Sequence, residues 1–230
     1  MRFLDDYLDA AQPRRSSPAP EGAIARPDRR ALEAHLARSR YGRFTLTEAV
    51  RPSWQLEVVP QAGYRFDTYS DARTGMRLPA LIASVSSEHL FDTFLALLEP
   101  LGDVCDVVLE TSHDTQTSGP NASRREVTRE GIERLVLESV LWDFEDLLLN
   151  DGCTGIAIMH PELSLEVQLD EHKLLVVYAA NRTPFERILA EQGVERNDRM
   201  RFISQGEHLH TSHTRFVDLF ADMAGSLGAE

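Results

Sequence analysis

The chain has 230 residues, a formal net charge of −13 and two cysteines. That length can bury a sizeable core in one large domain or two small ones. The charge argues against a general nucleic-acid or anionic-membrane surface, because both need a positive patch. No stretch approaches the run of about 20 apolar residues that a spanning helix needs. Asp5 and Asp6 stand where a signal peptide keeps its apolar segment. A cytoplasmic location is therefore expected, with Cys105 and Cys153 as buried thiols rather than a disulfide.

Residues 1–42 read as an N-terminal arm. Residues 1–10 place Phe3, Leu4, Tyr7 and Leu8 on one side of a short amphipathic helix. Residues 12–27 carry Pro13, Pro18, Pro20 and Pro27 and read as a linker. Asp28 is a suitable cap for a helix running to about Arg40, which Gly42 ends. The arginines concentrate here: residues 1–51 hold ten, against seven acids.

The α+β body is expected over 43–230. Trp54, Leu56 and Val58 alternate with polar residues, as do Tyr64, Phe66 and Thr68, which predicts a hairpin. A strand over Leu78–Val85 follows. Ser86 or Ser87 then starts a helix with Leu90, Phe91, Phe94, Leu95 and Leu98 on one face. Val104–Glu110 reads as a strand and Thr111–Arg125 as a polar loop. A long helix follows from about Thr128 to Leu149. The second half predicts a three-strand meander over Ile156–Met159, Leu163–Leu169 and Leu174–Tyr178. Thr183-Pro184-Phe185-Glu186 is a helix start. Met200–Ser204 reads as a strand and His213–Ser226 as the last helix.

Both halves, 43–150 and 151–230, thus read strand-strand-strand-helix-strand-helix. The pattern raises a tandem βββαβα repeat with mixed or antiparallel sheets packed by helices.

Candidate chemistry centres on Glu207-His208-Leu209-His210-Thr211-Ser212-His213. Histidines at i and i+2 project from one face of a strand, and a divalent metal accepts imidazoles so placed. His213 follows closely, and His113 and Asp114 occupy the matching loop of the first half. Together His113, Asp114, His208, His210 and His213 form the candidate metal set. Weaker candidates are the acids Asp143, Glu145 and Asp146, and a Cys153–His160 pair. No phosphate-binding glycine loop and no nucleophile elbow occurs.

In the long helix, Val136, Leu137, Val140, Leu141, Phe144, Leu147 and Leu148 form one broad apolar face. Leu135, Trp142 and Leu149 recur every seven residues as a second stripe, and a central tryptophan rimmed by polar groups suits an interface. The sequence therefore favours a non-catalytic interaction, adaptor or regulatory domain acting through contacts with a protein partner or a second copy of itself, such as a homodimer. A metal-dependent enzyme using His208, His210 and His213 is the alternative reading, and a small-ligand sensor the third. No nucleic-acid or membrane partner is expected.

Overall fold

The computed structural model describes residues 28–70, 77–113 and 125–230. The expected arm helix, its linker and most of the polar loop lie outside these residues. In chain order the elements are α1 (Arg29–Leu36), β1 (Arg40–Tyr41), β2 (Phe44–Thr45), β3 (Val50–Pro52), β4 (Gly63–Ser70), β5 (Arg77–Ser84) and α2 (Ser87–Leu98). Then come β6 (Val104–Thr111), β7 (Arg125–Glu133), α3 (Arg134–Asp143), α4 (Glu145–Asn150), β8 (Thr154–Met159), β9 (Leu165–Leu169) and β10 (Leu174–Ala179). The last are α5 (Thr183–Glu191), β11 (His208–His210) and α6 (Arg215–Leu227). Among the described residues, no helix is long and apolar enough to cross a membrane.

The fold is α+β. Seven strands form one antiparallel sheet in the order β4-β5-β10-β9-β8-β6-β7. The meander β8–β9–β10 occupies its centre, and the hairpins β4–β5 and β6–β7 flank it. One sheet face carries Leu81, Val107, Leu109, Ile158, Val167 and Val177. Against it pack Phe94 and Leu97 of α2, Leu141 of α3, Phe185 of α5, and Phe216 and Phe220 of α6. Each fully buried Leu or Phe contributes about 1.5–3 kcal/mol, so this face carries the fold. On the opposite face Val108, Ala157, Gln168, Val176 and Ile82 lie in register across five strands. That mixed row marks the side away from the helical layer.

Two small sheets sit beside the large one: β1 pairs with β2, and β3 with β11. Asp28 caps α1 by accepting from the Ala31 amide at 2.7 Å, but the helix stops at Leu36. Arg51 fastens this corner. Its Nε donates to the Leu36 carbonyl (2.9 Å), and its Nη1 donates to the carbonyls of Val50 (2.8 Å) and Thr47.

Three further expectations are corrected. Residues 54–58 form no strand, because Leu56 takes a positive φ of 50° and closes a turn onto the Ser53 carbonyl. β4 pairs with β5 instead. The long helix over Thr128–Leu149 is replaced by a strand and two helices. Val127 and Ile132 pair with β6 across a bulge next to Gly131, whose φ is +64°. Phe144 (φ −116°, ψ 21°) separates α3 from α4. Residues 200–204 contain a short 3₁₀ turn rather than a strand. The tandem repeat is not confirmed: β6 joins the main sheet, whereas its expected counterpart is that turn, and β11 pairs with β3.

A candidate metal centre

The strand β11 places His208 and His210 on one face, as alternation requires. Its partner β3 holds it against Arg51 and the residues around it, with Leu209 opposite Arg51. The third member is His172, in the turn between β9 and β10. One ring nitrogen from each of His172, His208 and His210 lies within 4.8 Å of the others. The rings stand edge to face, with centroids 4.8–5.0 Å apart. All three side chains are partly exposed.

Each ring is held from behind. Nδ1 of His208 lies 2.7 Å from the Gly206 carbonyl, and Nδ1 of His210 lies 2.6 Å from the Gly152 carbonyl. A carbonyl oxygen only accepts, so Nδ1 is the donor in both rings, and in the neutral form of each ring Nε2 keeps a lone pair. Those two Nε2 atoms are 3.2 Å apart. Nδ1 of His172 lies 3.0 Å from the Asp170 carboxylate. Asp170 also accepts from the backbone amides of His172 (3.0 Å) and Leu174 (2.8 Å), which fixes the turn. An imidazole backed by a carbonyl or carboxylate is the usual outer-shell arrangement of metal-binding histidine. Burial, reinforced by repulsion from His172 and His208, pushes the His210 pKa below its ordinary value despite the Gly152 carbonyl and Glu171. That shift favours the neutral ring, the form that can act as a ligand.

The Gly152 carbonyl is fixed in turn by its neighbours. The Gly152 amide donates to the Thr211 carbonyl, and the Thr211 amide to the Ala49 carbonyl, both at 2.8 Å. Beside it Asp151 is fully buried and accepts from the Thr154 hydroxyl (2.6 Å) and the Cys153 amide (3.3 Å). Lys173, next to His172, has a φ of 62° and is buried, with Nζ donating to the Thr154 carbonyl at 2.8 Å. Burial lowers its pKa to about 8, against the opposing pull of Asp151.

A groove of about 310 Å³ runs from this turn over the second sheet face, lined by Glu110, Gln168, Asp170, Glu171, His172 and Tyr178 among others. Glu171 and Asp170 each offer a carboxylate oxygen within 4.8 Å of a His172 nitrogen.

The structure thus unites His208 and His210 from the expected metal set and separates the others. His213 is exposed, with Nε2 4.0 Å from Glu48. His113 pairs with Asp151. Asp114 lies outside the described residues. Comparison with models of known families, with curated protein sequences and with solved structures found no match. Two of the weaker candidates are occupied elsewhere. Asp146 pairs with Arg215 at 2.8 Å, and Nδ1 of His160 accepts from the amides of Glu162 and Leu163. Of the apolar stripe, Leu135 and Trp142 are exposed at 72% and 53%, whereas Leu149 belongs to the core. Val136, expected on the core face, is exposed as well.

Proposed function

We propose that the chain binds a divalent transition-metal ion, zinc being the first candidate, through His172, His208 and His210, and that it is a metal-dependent enzyme acting in the adjoining groove. The observation that carries this reading is the 3.2 Å separation of two Nε2 atoms whose Nδ1 protons are already committed. Two lone pairs at that distance repel unless a cation lies between them. Imidazoles bound tetrahedrally to one zinc at about 2.0–2.1 Å have their nitrogens about 3.3–3.4 Å apart. A shared proton would need only two rings. The third ring nearby favours a metal.

Three neutral ligands leave a coordination position open, the arrangement of catalytic rather than structural zinc. An ion held so acidifies its bound water to a pKa of about 7. Glu171, beside His172 and felt electrostatically by His210, is positioned to accept a proton from the groove. Gln168 and Tyr178 supply polar groups that orient a ligand.

Zinc titration of chelator-treated protein followed by calorimetry tests the reading. His172→Ala and His208→Ala/His210→Ala are expected to lose this binding event, while His213→Ala keeps it. Unchanged binding in the first two variants overturns the proposal. The exposed Leu135 and Trp142 favour a second reading, self-association through α3. Sedimentation of the wild type against Trp142→Ala tests it.

A further inference from the structure

Behind the histidine trio, the turn 151–153 faces a second group of ligand atoms. We propose that His113, Asp151 and Cys153 form a separate, buried metal site that takes a thiophilic divalent ion of the zinc or cobalt class. One nitrogen, one carboxylate oxygen and one sulfur from these residues lie within 4.8 Å of one another. The residues are brought together by the sheet. Thr111, at the end of β6, pairs with Thr154 at the start of β8, and the Ser112 amide donates to the Cys153 carbonyl at 2.9 Å. That register sets His113 directly over the turn that carries Asp151 and Cys153.

The independent observation is the His113 ring. Its side chain is nine-tenths buried, with Nε2 2.8 Å from Oδ2 of Asp151. That contact is an ion pair rather than a well-directed hydrogen bond, and a metal held by both groups would replace it. Cys153 contacts the same ring, is 3% exposed and supplies the soft ligand that selects zinc or cobalt over magnesium or calcium. Asp151 supplies an anionic oxygen already oriented by Thr154 and the Cys153 amide. On binding, the thiol proton leaves to solvent and sulfur coordinates as thiolate. The ligand set differs from that of the trio, which contains no sulfur, so the two sites are distinguishable by spectroscopy.

The test is loading of chelator-treated full-length protein with cobalt(II). The wild type is expected to show a thiolate-to-cobalt charge-transfer band in the near ultraviolet and to fill both sites. Cys153→Ser and His113→Ala should abolish the band and remove about half of the bound cobalt. His208→Ala/His210→Ala should keep the band, which separates this proposal from the one above. A folded wild type saturated with cobalt but lacking the band overturns the proposal. A band that survives Cys153→Ser belongs to Cys105 and overturns it too. If Cys153→Ser does not fold, alkylation of the wild type with and without zinc decides, read by peptide mass spectrometry. Slower modification of Cys153 with zinc supports the site, and equal rates refute it. Cys105 serves as the internal control, since burial raises its thiol pKa to about 11.

Discussion

His210 and Asp151 are joined through a single residue: the His210 ring rests on the Gly152 carbonyl at 2.6 Å, and Gly152 follows the buried Asp151. A Cβ at position 152 would meet the Ala49 carbonyl oxygen at 2.3 Å and that of Thr211 at 2.9 Å. Neither backbone group can swing away as a flexible side chain would. Gly152→Ala should therefore destabilise the fold by about 1–3 kcal/mol. The displaced carbonyl should also cost about 10–100-fold in metal affinity. Thermal unfolding with and without zinc checks both effects. A variant with wild-type stability and affinity would show that the carbonyl does not orient His210.

Asp151→Asn keeps the shape but removes the charge facing His113. Breaking a buried pair by altering one partner typically costs about 3–5 kcal/mol. The loss should be smaller here, about 2–3 kcal/mol, because His113 can shed its proton. Urea unfolding of the metal-free protein measures it. A change below about 0.5 kcal/mol, the range of ordinary surface substitutions, would mean that the pair is not structural.

Glu88 is expected to add to the loss of stability in acid. Its carboxylate accepts from the Ser86 and Thr45 hydroxyls, the latter at 2.6 Å, and these bonds lower its pKa to about 2. A depressed folded-state pKa stabilises above the unfolded value of 4.5, and that contribution is lost as pH falls from about 4.5 toward 2. Glu88→Gln should accordingly lower stability at neutral pH and flatten its decline between those values. Parallel acid titrations of both proteins, followed by circular dichroism, read the difference. Identical slopes would count against the assignment.

Trp142 is half exposed, yet its ring meets Phe91 edge to face at 4.9 Å. Trp142→Ala should cost about 0.5–1.5 kcal/mol from the lost aromatic pair. If α3 mediates self-association, the same variant should shift the sedimentation profile toward monomer. A concentration-independent monomer in the wild type would rule out that contact.

Much of the sheet was legible in the sequence. The meander β8–β10 announces itself through apolar runs separated by polar turns, and His208 and His210 share a face because strand alternation requires it. His172 is not legible as a candidate ligand, since Asp170-Glu171-His172 reads only as a turn. Its approach to His208 depends on β11 docking against β3, a contact between residues far apart in the chain. The strand β7 was concealed for a different reason. Its exposed residues are polar, so the helical periodicity of the following segment extends backward over it. Gly131, an unfavourable residue within a helix, was the available warning. His213 was misleading because proximity in sequence says nothing about which way a side chain points once the strand ends at His210.

The strand order carries a consequence for how the chain assembles. The flanking hairpins β4–β5 and β6–β7 are made first during synthesis, but they do not touch each other within the sheet. The strands that join them, β8 to β10, come later, and pairings such as Ile82 with Val176 close loops spanning about half of the body. The meander is thus the keystone of the sheet, and until it is inserted both hairpins present unpaired edges. His172 sits at a turn of that keystone. Its meeting with His208 and His210 therefore belongs among the last events of folding, and a metal bound there would lock a sheet already closed.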